Sequence, residues 1–149
     1  MPASGLLLIG VRTPQGEDRT QARLLVRQAL AELITEAGVS ISHAPGFSVA
    51  AVHRHGPVGV DLMRLEEKLM PDWEAVARDY LGPAATARLA ACGNDRRSHC
   101  FAQEWTRREA QLKHLGCGLV EWASAPVSRD ERWSMLALPE GYVGAVVID

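Results

Sequence analysis

The sequence predicts an α+β fold in which the order strand, helix, strands occurs roughly twice. Three observations carry this reading. Short apolar runs rich in β-branched residues are bounded by Gly and Pro turn signals. Two longer stretches repeat at three- and four-residue spacing, as amphipathic helices do. The break Gly56-Pro57 divides the chain, so we expect an N-terminal half over 1–57 and a C-terminal half over 58–149, folded as one compact unit.

The first element is Gly5 to Val11, an apolar run ending at Arg12 and the turn signal Thr13-Pro14-Gln15-Gly16, read as a buried strand. From Asp18 the apolar positions Ala22, Leu25, Val26, Ala29, Leu30, Leu33 and Ile34 predict a helix that stops at Gly38, its C-terminal cap. Arg19, Arg23 and Arg27 lie four apart and form one basic stripe on it. Val39 to His43 and Phe47 to His53 predict a strand pair around Ala44-Pro45-Gly46, and Val58 to Leu62 a further strand.

Pro71 to Tyr80 and Pro83 to Ala91 predict two short helices separated at Gly82. Asn94 to Leu115 is the longest helical signal, with Asn94 or Asp95 as N-cap and Gly116 as terminator. Trp133, Met135 and Ala137, then Val143 to Ile148, predict two closing strands around Pro139-Glu140-Gly141.

Composition narrows the function classes. With 47% apolar residues, 23% charged residues and a formal net charge of -2, the chain is of the folded globular class. It lacks the basic excess that neutralises nucleic-acid backbones, so no nucleic-acid partner is expected and any anion site is local. Cys92, Cys100 and Cys117 are odd in number and form no CxxC pair, which speaks against a disulfide framework or zinc knuckle and for a cytoplasmic location. The run Leu6 to Val11 has no basic n-region and falls far short of the roughly 18 residues of a membrane span, so no membrane association is expected.

Trp105, Glu109 and Lys113 follow at i+4 steps on the long helix and share one face, which points a carboxylate and an ammonium the same way. Such a pair is either an ordinary surface ion pair or part of a site. Asp61 ends an otherwise apolar strand, where an ionised carboxylate needs compensating donors or a cation. It is either a strand-end residue meeting a turn or an arginine, or a hard-cation ligand with Glu109 as the second carboxylate. Ser42-His43 leaves a strand with a hydroxyl and an imidazole that either serve the local structure or face an anion. His53-Arg54-His55 has no second ligand pair at a zinc spacing.

In their order along the chain these pieces resemble the 4'-phosphopantetheinyl transferase superfamily, as a compact member of its surfactin-synthetase type. Gly59-Val60-Asp61 is similar to the Gly-(Ile/Val)-Asp signature of that family. Phe101 to Lys113 resembles Phe-x-x-x-Trp-x-x-(Lys/Arg)-Glu-(Ala/Ser)-x-x-Lys, and Gly116-Cys117-Gly118-Leu119 resembles Gly-x-Gly-Leu. Ser42-His43 is similar to the Ser-His element of the larger type.

The resemblance implies a pseudo-dimer of two similar halves, each a small antiparallel sheet packed with a long helix, and an active site in the cleft between them. It implies transfer of the phosphopantetheine arm of coenzyme A to a serine of an acyl or peptidyl carrier protein, in fatty-acid, polyketide or nonribosomal-peptide synthesis. Magnesium would be held by Asp61 and Glu109, and Lys113 would bind the phosphate region and protonate the leaving group. Ser42, His43 and, more loosely, Arg23 would contact coenzyme A. A chain supplying both sides of its own cleft works as a monomer. Two departures stand out: Met63 occupies the place where the larger type carries an acidic residue, with Glu66 or Glu67 as candidate substitutes, and no Gly-Lys-Pro-type segment precedes Ser42-His43. They motivate an alternative, a non-catalytic coenzyme A or carrier-protein binding module of the same fold.

Overall fold

The computed structural model describes residues 5–13, 19–30, 38–126 and 131–149. The elements in chain order are β1 (Leu6–Arg12), α1 (Thr20–Leu30), β2 (Gly38–Ala44), β3 (Phe47–His53), β4 (Val58–Arg64), α2 (Trp73–Val76), α3 (Gly82–Ala91), α4 (Arg97–His114), β5 (Arg132–Met135) and β6 (Tyr142–Ile148). They build an α+β fold with two antiparallel three-stranded sheets, ordered β1-β3-β2 and β4-β6-β5. In both, the last strand in sequence lies in the centre and a helix falls between the first strand and the second.

Strand periodicity explains how the layers meet. Along β3 the side chains of Phe47, Val49 and Ala51 enter a core shared with Val58, Val60 and Leu62 of β4 and Val146 and Ile148 of β6. The intervening Ala50 and Val52 pack under Val26 and Leu30 of α1. Successive residues of a strand face opposite ways, so a strand covered on both faces reads as a continuous apolar run. By the same alternation β6 turns Ala145 and Val147 toward Ala110 of α4. On β4 it leaves Gly59, Asp61 and Met63 on the side of that helix.

The sheets are joined where β2 runs beside β4. Ser40 Oγ accepts the Val60 N–H at 3.0 Å, and Ser42 Oγ accepts the Leu62 N–H at 3.1 Å. Serine hydroxyls thus satisfy the edge donors of β4 that a further strand would otherwise take.

Several expectations are corrected. β1 is not buried: it is an edge strand with Leu7 43% and Leu8 42% exposed, because only one neighbour and one face cover it. Gly38 is not a helix cap but opens β2, where a Cβ would stand 2.3 Å from the Gly56 carbonyl oxygen. Close approach of two backbones is its reason. Leu33 and Ile34 lie outside the described residues, as do Pro14 to Asp18.

Asn94 and Asp95 do not cap α4, which begins at Arg97 after Arg96 with no side-chain cap. The Asn94 side-chain Oδ1 instead accepts from Arg97 Nη1 at 2.8 Å, and Arg97 also donates to the Leu89 and Cys92 backbone carbonyls at 2.9 and 3.0 Å, closing the end of α3. The first of the two short helices is reduced to α2 and a π-helical turn, Ala77–Leu81, before Gly82 at φ 87°. Among the described residues no helix is long and apolar enough to cross a membrane.

Candidate active site

α4 reaches β4 through a glycine. A Cβ on Gly59 would stand 1.8 Å from the Ala110 carbonyl oxygen and 2.5 Å from the His114 nitrogen, so the helix backbone lies directly on the strand. That approach, two residues before Asp61, brings the last turns of α4 over the aspartate. The helix then ends in a Schellman arrangement: Cys117 N–H donates to the Leu112 carbonyl at 2.8 Å and Gly116 N–H to that of Lys113 at 3.0 Å, with Gly116 at φ 74°.

The result is a cavity of about 360 Å³. β2 contributes Ile41, Ser42 and His43, β4 contributes Asp61, Leu62 and Met63, α4 contributes Trp105, Glu109 and Lys113, and Arg19 adds a cation from just before α1. Five of the six sequence-nominated residues therefore line one space. Arg23 is not among its walls, although its charge reaches His43. Arg19 is the residue that spacing alone did not single out; the stripe it shares with Arg23 was the available signal. Glu66 and Glu67 are exposed and outside the lining, whereas Met63 is part of it.

Lys113 is the hub. Its Nζ donates to Asp61 Oδ1 at 3.0 Å, to the Val60 carbonyl at 3.0 Å and to the Ile41 carbonyl at 3.5 Å, tying α4 to both sheets. Asp61 Oδ1 also receives the Ser42 hydroxyl at 3.1 Å. Ser42 thus spends its proton on Asp61 while accepting from Leu62, and is 6% exposed. Burial pushes the Asp61 carboxyl above its ordinary value, against the pull of Lys113 and the Ser42 hydrogen bond.

Glu109 is raised as well, by burial and then by the neighbouring Asp61 charge, with Lys113 opposing. The His43 imidazole is held below its ordinary value by burial and then by Arg19, Arg23 and Lys113. Its Nδ1 lies 2.7 Å from the buried Ser48 Oγ. A neutral ring surrounded by cations favours an anion in this corner.

The donor set fits a hard divalent cation. Burial raises both carboxyls and the Asp61 charge raises Glu109 further, and a cation between them relieves both effects. Among the described residues no group of three His, Cys, Asp or Glu side chains gathers, so magnesium here would draw further ligands from water and substrate oxygens. His53, beside the Pro57 carbonyl, and His114, paired with Asp149 at 2.8 Å, stand outside the lining.

The family model for the 4'-phosphopantetheinyl transferase superfamily matches residues 57–140, more than half of the chain. The chain belongs to that superfamily. Among curated phosphopantetheinyl transferases it is 28% identical over 80 residues to slr0495 of Synechocystis sp., whose 4'-phosphopantetheinyl transferase name is provisional, and this covers 54% of the chain. It is 27% identical over 135 residues to the 4'-phosphopantetheinyl transferase HetI of Nostoc sp., covering 80% of the chain. The matches span 32% and 55% of those two relatives. The superfamily match contains Asp61, Met63, Glu109 and Lys113, and the HetI match extends the likeness over most of the chain.

Proposed function

We propose that this phosphopantetheinyl transferase superfamily member moves the 4'-phosphopantetheine arm of coenzyme A to a serine of an apo acyl or peptidyl carrier protein and releases 3',5'-ADP. The observation that carries the reading is the convergence of Asp61, Glu109 and Lys113 from two elements on one cavity whose other wall holds Ser42 and His43. Asp61 and Glu109 would hold magnesium, which supplies charge neutralisation on the pyrophosphate when bound.

The acceptor serine oxygen forms a bond to the β-phosphorus while the bond from that phosphorus to the bridging oxygen breaks. Glu109, held above its ordinary proton affinity, is suited to take the serine proton, since a hydroxyl needs a base within reach. Lys113 stabilises the charge on the departing diphosphate oxygen and can donate its proton there. His43 and Arg19 form the anion-facing corner for coenzyme A phosphates, with Arg23 adding field. Ser42 acts in this reading through Asp61.

We further read 1–57 and 58–149 as related halves of one compact pseudo-dimeric unit, supported by the common strand order of the two sheets. A single chain then supplies both walls, as a monomer, and the free cysteines favour a cytoplasmic location.

Incubation with coenzyme A, magnesium and apo carrier proteins should add one arm, about 340 Da, to the carrier mass. Absence of that gain with every carrier tried argues against transfer. The second reading, a coenzyme A or carrier-protein binding module without turnover, is favoured by Met63 and by the hold of Lys113 on Asp61 Oδ1. It predicts coenzyme A affinity that is indifferent to magnesium.

A further inference from the structure

His43 is held from behind by a serine that lies outside the signature elements. β2 and β3 pair so that His43 stands directly opposite Ser48, and directly opposed residues of an antiparallel pair share one face of the sheet. On β3 that is the face of Ala50 and Val52, which α1 covers, and Val11 of β1 stands opposite Ser48 on its other side. Ser48 is fully buried there, flanked on its own face by apolar neighbours.

The one polar group that the Ser48 hydroxyl meets among the described residues is His43 Nδ1, at 2.7 Å. That single partner decides where the protons stand. With the ring proton on Nδ1, the N–H would donate to Ser48 Oγ, and the serine O–H would be buried without an acceptor, a costly arrangement. An imidazolium has the same defect, because both of its nitrogens carry protons. The matched arrangement has the Ser48 O–H donating to Nδ1, which leaves a neutral ring protonated on Nε2. Nε2 has no hydrogen-bond partner among the described residues and is not closed off from solvent, on a residue that lines the candidate site.

We propose that Ser48 is a positioning residue for anion recognition: its hydroxyl fixes His43 as the neutral Nε2–H tautomer, whose N–H is the donor for a phosphate oxygen of coenzyme A. The phosphate contact rests on the transferase reading; the tautomer does not. Arg19 and Lys113 in the same lining supply charge, and the ring supplies direction. Ser48 touches no substrate.

Long-range proton–nitrogen correlation spectra of the full chain at neutral pH read the tautomer, with the His43 signals assigned as those lost in His43→Ala. His43 is half-buried, so this variant is expected to fold. Wild type should show Nε2 protonated and Nδ1 bare but accepting a hydrogen bond. An Nδ1–H ring or an imidazolium would overturn the proposal, and this reading needs no Ser48 variant to fold. Ser48→Ala should shift the Nδ1 resonance to that of a nitrogen without a donor, and Ser48→Thr, which keeps the hydroxyl, should retain the wild-type position.

Calorimetric titration with coenzyme A and magnesium tests the consequence. His43→Ala should weaken binding at least about tenfold and Ser48→Ala at least about threefold, while the double variant should bind no worse than His43→Ala, since Ser48 acts through the ring. Ser48→Thr should stay within about twofold of wild type. Losses that multiply in the double variant would mean that Ser48 supports the sheet at large, and the positioning role would fall. Wild type that shows the tautomer and binds no coenzyme A would sink the transferase reading together with the phosphate contact. Equal binding by wild type and His43→Ala would sink the phosphate contact alone.

Discussion

Lys113 Nζ lies 3.0 Å from Asp61 Oδ1, and this pair, with side chains 31% and 12% exposed, closes α4 onto β4 at the candidate site. Removing the ammonium leaves a largely buried carboxylate without its cation. Lys113→Ala should therefore destabilise the chain by about 1–3 kcal/mol and lower both coenzyme A affinity and transfer. Urea unfolding of Lys113→Ala, Asp61→Asn and the double variant checks this. The double variant should lose clearly less than the sum, and strict additivity would remove the pair from the account.

Ser42 donates to Asp61 Oδ1 and accepts from Leu62 N–H, so its hydroxyl positions the aspartate and joins the sheets. Ser42→Ala should cost about 1–3 kcal/mol, because the Leu62 N–H is left unsatisfied. If the residue acts through Asp61, kcat falls while coenzyme A affinity changes little. A variant with unchanged kcat and weakened coenzyme A binding would restore the direct-contact role that the sequence resemblance implies for Ser42.

Much of this site was legible in one dimension because two periodicities survive folding. The i+4 spacing of Trp105, Glu109 and Lys113 put them on one face, and they line one cavity. The apolar run through Val60 marked Asp61 as an exception that needed a partner. The identity of that partner was not legible, since Lys113 meets Asp61 only because Gly59 lets α4 rest on β4. Nor was the commitment of Ser42, whose partners lie on the other sheet. Asn94 looked like a cap by local propensity, yet Arg97 competes for its side chain. The stripe of arginines on α1 was visible, but which of them reaches the cavity depends on the packing of α1 on its sheet.

Glu109 is held above its ordinary value by burial and by Asp61. A carboxyl raised in this way binds its proton more tightly in the folded chain than in the unfolded one. Its contribution to stability is complete below the unfolded carboxylate range and is lost as pH rises through the raised folded value. Glu109→Gln should therefore raise Tm at neutral pH by about 1–3 °C, a modest shift because the group is partly solvated. The gap should close as pH falls through the raised folded value and below the ordinary carboxylate range, where Glu109 is protonated in the folded and the unfolded chain alike. Transfer should be abolished in the same variant. Thermal melts of both proteins across this range decide it: a Gln variant less stable at neutral pH, or a gap that ignores pH, contradicts the assignment.

The signature glycines are expected to differ, because each has a different physical reason. At Gly59 a Cβ meets backbone atoms of α4 at 1.8 and 2.5 Å, and backbone cannot swing aside. Gly59→Ala must lift α4 and part Lys113 from Asp61, for about 3 kcal/mol or more of lost stability together with loss of coenzyme A binding. Gly116 has open space but sits at φ 74°, so Gly116→Ala should cost about 1–2 kcal/mol through the left-handed backbone alone. A Cβ on Gly118 meets nothing within 4 Å, and Gly118→Ala should stay within about 0.5 kcal/mol of wild type. Urea midpoints of the three variants should rank in that order. A Gly59→Ala chain that unfolds with the wild-type midpoint would mean that α4 does not rest on β4 as described, and the convergence of Asp61, Glu109 and Lys113 would lose its structural basis.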